Sequence, residues 1–374
     1  MDFTKYLLLI IERKASDLFL VVGAKPSIKV SGRLVAIDET PLSESDVQAL
    51  VDSAMNSRQL KEFSTQQECN FAVGAPGLGR FRVSAYYQRG TPAMVIRRIH
   101  TEIPSIEALQ LPSIVRELSM TKRGMILFVG ATGTGKTTSL ASVIDYRNSH
   151  SDGHIITVED PIEFIHEHKK SIITQREVSI DTESFEMALH NSLRQSPDVI
   201  LMGEIRNQEL MRYGLTFAET GHLCLATLHA NNADQALDRI LNMFPPEHHE
   251  KLRMELANNL RAIVAQQLVP SVDGKGRVVA TEVLVNTPLV SDLIRRGRLE
   301  EIKDVMKRSG NVGMCTFDQA LFELYTQDKI NYEQTLIHAD SANDLRLMIK
   351  LSAEAVAKTN YRDSSLSLQD EFDT

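Results

Sequence analysis

Gly130-Ala131-Thr132-Gly133-Thr134-Gly135-Lys136-Thr137 satisfies the phosphate-loop pattern G-x-x-x-x-G-K-[ST] in full. Before it runs Met125-Ile126-Leu127-Phe128-Val129, an apolar stretch that reads as a buried strand. After it, Thr138-Ser139-Leu140-Ala141-Ser142-Val143-Ile144 reads as a helix with Leu140, Val143 and Ile144 on one face. Glycines let backbone N–H groups turn inward around a β-phosphate, and the helix start adds its positive end. Lys136 supplies a point charge between β- and γ-phosphates, and the Thr137 hydroxyl is suited to Mg²⁺. A glycine-rich turn matching by accident would lack the flanking strand and helix. The expectation is a nucleoside triphosphate held by residues Gly130 to Thr138.

Composition narrows the class. A chain of 374 residues, 43% hydrophobic and 24% charged, suits a globular protein of two domains. Its 41 basic and 49 acidic residues leave a net charge of −8, which argues against a large nucleic-acid footprint. Cys69, Cys224 and Cys315 lie far apart with no C-x-x-C pair, so a reducing compartment and no structural zinc are expected. The run Tyr6 to Ile11 is too short to span a bilayer, meets Glu12, Arg13 and Lys14 at once, and lacks a cleavage site. It reads as an amphipathic first helix of a cytoplasmic protein without a transmembrane segment.

The first hundred residues read as a small mixed sheet. Strands are expected at Asp17–Val22, Ser27–Val30, from Cys69, at Arg80–Tyr86 and at Ala93–Arg98, with helical spacing over Ser45–Phe63. Pro104 to Pro112 reads as the connector. Beyond it, short apolar strands alternate with amphipathic helices, the pattern of a parallel α/β sheet. Strands are expected at Met125–Val129, His154–Val158, Asp198–Met202 and Leu223–Thr227. Helices are expected at Ser184–Gln195, Gln208–Glu219, Ala233–Phe244 and His248–Leu268, then a hairpin turning at Asp273–Gly276. From Thr287 the pattern is helical, and the acidic end Asp370-Glu371-Phe372-Asp373 reads as disordered.

Other polar clusters discriminate among phosphate-loop proteins. Glu159-Asp160-Pro161-Ile162-Glu163 ends one strand, on the ligand edge of a parallel sheet. Asp160 with Pro161 reads as a helix cap, which leaves Glu159 and Glu163 as the catalytic candidates. In Asp198 to Glu204 an apolar run ends in an acid, the form of a Walker B strand, and Glu204 is placed to face Mg²⁺ or the lytic water. His222 and His229 bracket the next strand, and either is a candidate to donate a hydrogen bond to a γ-phosphate. Arg80 and Arg82 share a strand face, whereas Arg97 and Arg98 point oppositely. Guanidiniums in a domain without its own phosphate loop suggest fingers reaching a nucleotide across an interface.

These clusters resemble the motifs of the secretion and type IV pilus ATPases. Glu159–Glu163 is similar to that family's Asp box, Asp198–Glu204 to its Walker B segment and Thr220–His229 to its His box. With Gly130–Thr137 they stand in the family's order. The chain resembles the retraction branch, the PilT/PilU group, because the assembly branch carries a four-cysteine zinc site. Val290-Ser291-Asp292-Leu293-Ile294-Arg295-Arg296-Gly297 departs from the PilT-type signature Ala-Ile-Arg-Asn-Leu-Ile-Arg-Glu. PilU-type members are the better match.

The resemblance implies a PAS-like N-terminal α+β domain (1–103), a linker (104–112), a RecA-like ATPase core (113–288), a helical C-terminal region (289–358) and a disordered tail (359–374). It also implies a homo-hexamer with ATP between the two domains, and Arg82 and Arg97 as fingers. The partners implied are a PilT-type retraction ATPase and an inner-membrane platform protein, which would hold the chain peripherally at that membrane. The expected roles are phosphate binding by Gly133, Gly135, Lys136 and Thr137, Mg²⁺ binding by Thr137 and Glu204, and water activation by Glu163 or Glu204. The alternatives are a nucleotide-binding regulatory partner with little motor activity of its own, and a nucleic-acid translocase, which the acidic balance disfavours.

Overall fold

The computed structural model describes residues 3–30, 32–75, 78–99 and 101–352; the expected disordered tail lies outside them. The chain divides into two compact units. The first takes Met1–Ile103 with Glu159–Glu167 and Gln175–Ala188, and the second begins at Pro104 and takes the other described residues.

The first unit opens with helix α1 (Phe3–Glu12), strands β1 (Asp17–Val21), β2 (Ser27–Val30) and β3 (Arg33–Ala36), and helices α2 (Glu44–Ala54) and α3 (Ser57–Gln66). Strands β4 (Glu68–Ala75), β5 (Gly79–Gln88) and β6 (Thr91–Arg98) complete it. Its six-stranded sheet runs β3-β2-β1-β6-β5-β4. Along β5 the alternation of buried Phe81, Val83 and Ala85 with half-exposed Arg80, Arg82 and Ser84 is what a one-sided sheet requires. The helical run expected over Ser45–Phe63 breaks into two. Asn56 forms a capping box with Gln59 that starts α3 afresh, as Ser43 does with Asp46 for α2.

The second unit holds α4 (Ile114–Ser119), β7 (Gly124–Val129), α5 (Lys136–His150), β8 (Gly153–Glu159), β9 (Ser171–Glu177) and α6 (Phe185–Ser192), the last three shared in part with the first unit. It continues through β10 (Val199–Met202), α7 (Gln208–Glu219), β11 (Leu223–Leu228), α8 (Ala233–Asn242) and α9 (His249–Asn259). Strands β12 (Leu260–Pro270) and β13 (Arg277–Val285) precede the helices α10 (Pro288–Arg296), α11 (Ile302–Arg308), α12 (Phe317–Thr326) and α13 (Tyr332–Ile337). The sheet order is β13-β12-β7-β11-β10-β8-β9.

Five of those strands, β12 through β8, run parallel, and β13 turns back antiparallel on β12. The helix expected over His248–Leu268 is corrected: it stops at Asn259, and Leu260–Pro270 is a strand between β7 and β13. Ala262 to Ala265 are fully buried there, so ladder pairing and burial on both faces override the helical spacing. Strands β3 and β9 are additions to the expected set. Within 104–112, Ile106 and Leu111 are buried in the second unit's core beside Val115 and Phe128, and Arg116 pairs with Glu107. No helix among the described residues is long and apolar enough to cross a membrane.

Candidate functional site

Every residue of β7 is buried, so the strand is a rigid support for the loop at its carboxyl end. Gly130 has φ +153°, and a Cβ there would meet Thr134 Oγ1 at 2.5 Å and the Gln266 carbonyl oxygen at 2.7 Å. Gly133 and Gly135 take φ +81° and +90°, the left-handed region that glycine enters without strain. Thr134 Oγ1 donates to the Ala131 carbonyl at 2.9 Å and ties the loop across its own base. Among the described residues no side chain caps α5, which starts at Lys136, so its first N–H groups remain available to an anion. Thr137 stands exposed on that first turn.

Lys136 is buried, and its Nζ donates to the carbonyl oxygens of Gly130 and Ala131, both at 2.8 Å. Burial lowers its pKa from the ordinary lysine value, while the nearby Glu204 carboxylate opposes that shift. Glu204 follows β10, and Gly203 is stitched on both sides: its N–H reaches Val158 O at 2.8 Å and its carbonyl accepts Thr227 Oγ1 at 2.6 Å. The Glu204 carboxylate is held between Arg206 Nε and His229 Nε2, each at 3.1 Å. Beside the loop lies a cavity of about 510 Å³ whose lining includes Gly130, Ala131, His229, Gln235, Asp238 and Arg239. The carboxyl edge of β7, β10 and β11 thus brings Lys136, Thr137, Glu204 and His229 together.

His222 is a correction. It precedes β11, at the amino end where its carbonyl accepts the Gly124 N–H, and its Nδ1 lies 3.0 Å from Thr220 Oγ1 and 3.2 Å from Phe217 O. The six residues of β11 put about 20 Å between it and the phosphate-loop edge, at about 3.3 Å per residue. It cannot touch a phosphate held by its own loop.

The acidic stretch after β8 belongs to the first unit. The cap expected of Asp160 is also corrected: no helix follows it, and the Asp160–Pro161 peptide is cis. Gln175 shapes the segment instead, donating to Glu159 Oε1 at 3.2 Å and Phe164 O at 2.9 Å while its Oε1 accepts the His166 N–H at 2.8 Å. Glu159 is buried in that arrangement.

Within the same unit Asp17, Arg97 and Arg82 stand directly across from one another on β1, β6 and β5. Arg97 Nε donates to Asp17 Oδ1 at 2.7 Å. This hydrogen bond, with the charges of Asp17 and Glu163, raises the Arg97 pKa. Burial pushes Glu177 up despite the Ile162 N–H and the charges of Arg82 and Arg80.

Sequence reasoning missed Arg206 and Gln266. Arg206 stands two residues past Glu204, a spacing that could have drawn attention to it. Gln266 donates from Nε2 to Ser139 Oγ at 2.8 Å under α5, and no local signal points there because it lies 127 residues from its partner.

The donor set fits a nucleotide: left-handed glycines, an uncapped helix start and a buried lysine follow one another along the loop and the first turn of α5. Mg²⁺ would find the Thr137 hydroxyl and the Glu204 carboxylate. Among the described residues no three His, Cys, Asp or Glu side chains cluster as a protein-only metal cage.

Comparison with known proteins agrees with this chemistry. The Type II/IV secretion system protein family matches residues 3–321. The type IV pilus ATPase PilU of Pseudomonas aeruginosa is 59% identical over 357 residues, covering 96% of this chain and 94% of that protein. The retraction ATPase PilT of the same organism is 39% identical over 333 residues, covering 89% and 96%. A crystal structure of the pilus retraction motor PilT with bound ADP superposes with a TM-score of 0.86 at 38% identity, covering 92% of this chain and 99% of that one. The chain belongs to the Type II/IV secretion system protein family, within its PilT/PilU group of type IV pilus ATPases.

Proposed function

We propose that the chain hydrolyses ATP to ADP and phosphate as a hexameric motor of the type IV pilus machinery, driving or assisting retraction together with a PilT-type ATPase. The convergence of Lys136, Thr137, Glu204 and His229 on one sheet edge carries the reading. Backbone N–H groups of Gly133, Gly135 and Thr137 cradle the phosphates, with Ala131, Thr132, Thr134 and Thr138 completing the loop. Lys136 exchanges its two carbonyl partners for phosphate oxygens, so its charge is positioned before substrate arrives. Thr137 and Glu204 would hold Mg²⁺, which neutralises developing phosphate charge when bound. His229 positions Glu204 and senses the γ-phosphate.

Glu204 or Glu163 orients the attacking water, Glu159 is a further catalytic candidate, and Arg82 and Arg97 serve as fingers toward a neighbouring chain's nucleotide. Residues 1–103 are proposed as a PAS-like domain and residues 113–288 as a RecA-like core, joined through 104–112, with a helical region over 289–358. On this reading the motor acts at the cytoplasmic face of the inner membrane through a platform protein.

Lys136→Ala tests the site: ATPase activity of the purified chain should vanish while the circular dichroism spectrum is unchanged, and normal turnover would refute the assignment. The departure from the PilT-type signature within α10 favours a second reading, a regulatory partner with little turnover of its own. That reading predicts that the isolated chain hydrolyses ATP poorly and that Glu204→Ala leaves its effect on a PilT-type ATPase intact.

A further inference from the structure

Glu282 lies on β13 and is 1% exposed. Its carboxylate accepts two backbone N–H groups: Oε1 takes that of Ala233 at 2.9 Å and Oε2 that of Phe317 at 3.3 Å. Ala233 and Phe317 open α8 and α12, so each N–H is an orphan donor of a helix start. One buried carboxylate therefore fastens two helix starts to one strand.

Its surroundings are charged from every side. Lys303 of α11 pairs with Asp340, and Asn232 Nδ2 reaches the same carboxylate at 3.5 Å. Asp318 of α12 accepts the N–H groups of Asp340 at 2.8 Å and Ser341 at 3.2 Å. The charges of Lys303, Asp340 and Asp234 act on the Glu282 carboxyl and that of Glu282 on the Cys315 thiol, while Asp340 and Lys303 also act on Asp318, and Asp340 and Asp238 on Asp234.

The start of α8 is also the end of the site. Only His229, Ala230, Asn231 and Asn232 separate β11 from Ala233, and His229 is the residue held against Glu204. Further along α8, Gln235, Asp238 and Arg239 line the cavity beside Gly130 and Ala131. We propose that Glu282 is a positioning residue for ATP turnover: by gripping the Ala233 N–H it sets the start of α8, and through it His229 and the cavity wall. This inference rests on the phosphate-loop edge being the ATPase site.

Burial pushes the Glu282 carboxyl up to about 7. Once protonated, one oxygen becomes a donor facing a backbone N–H, and the grip on one helix start is lost. Turnover should therefore weaken as pH falls through neutrality.

The test uses the full chain with ATP and ADP, comparing wild type, Glu282→Gln, Glu282→Asp and Lys136→Ala from about pH 6 to about pH 8.5. Glutamine keeps the size but turns an amide N–H toward one of the two helix starts. Glu282→Gln should lower kcat roughly tenfold, as a small displacement of catalytic groups does, and flatten the acid limb of the kcat profile. KM and the ADP Kd should stay within about twofold, because the phosphate cradle itself is untouched. Glu282→Asp keeps the charge and should recover part of kcat.

Wild-type kcat in Glu282→Gln, an unchanged acid limb, or a kcat loss that merely tracks the unfolded fraction would overturn the proposal. If Glu282→Gln does not fold, the acid limb of Glu282→Asp decides, and an unshifted limb is fatal. Turnover by Lys136→Ala would instead sink the underlying site assignment. A dead Lys136→Ala beside a wild-type-like Glu282→Gln would sink the positioning role alone.

Discussion

At the residue scale the two histidines of one motif separate cleanly. His229 touches Glu204 at 3.1 Å, whereas His222 sits at the other end of β11 on Thr220 and Phe217. His229→Ala should therefore cut kcat by about tenfold or more, and His222→Ala should leave it within about twofold. Steady-state ATPase assays on the two variants check both. Gly130 offers a second contrast. A methyl group there meets Gln266 O at 2.7 Å in a backbone region that disfavours side chains. Strain of about 1–3 kcal/mol should appear in Gly130→Ala as ADP binding weakened by about fivefold to about 150-fold in calorimetry.

At the scale of elements, local chemistry and tertiary pairing can be told apart. The break between α2 and α3 is local: the Asn56 side chain accepts from the N–H groups of Arg58 and Gln59, and Gln59 answers on the Asn56 N–H. Asn56→Ala should lower stability by about 1 kcal/mol in urea denaturation, with no change in ATPase activity. The end of α9 is not local. Leu260–Pro270 has helical spacing, yet the chain becomes a strand because β7 and β13 lie on either side to receive it. The phosphate loop was legible because a tight turn needs its glycines and lysine at fixed offsets within eight residues. The Gln266–Ser139 bond beneath it spans the domain and left no pattern to read.

For the whole molecule, buried carboxyls set the pH response. Burial raises Glu282 from 4.5 to about 7, and also raises Asp234, Asp318 and Glu177. Between those two values the folded chain holds the Glu282 proton and the unfolded chain does not. By linkage, stability falls as pH rises from about 4.5 to about 7 and levels off above it. The single-group effect is bounded at about 3 kcal/mol, at about 1.4 kcal/mol per pKa unit. Urea midpoints should therefore fall from pH 5 to pH 7 by less in Glu282→Gln than in wild type. Turnover should move the opposite way over the same range, which distinguishes a positioning carboxylate from one that only stabilises.

Taken by itself, the order of residues determined that this chain carries a complete phosphate loop suited to a nucleotide, that strands alternate with helices beyond the connector, and that its motifs fall in the order of one ATPase family. Those features are encoded in short windows, where turn geometry, capping and burial period act between neighbours. Only the tertiary structure decided which histidine stands beside Glu204, that Leu260–Pro270 is a strand, and that Glu282 fastens the starts of α8 and α12. Each of these depends on partners dozens of residues away, brought together by sheet order and burial rather than by spacing along the chain.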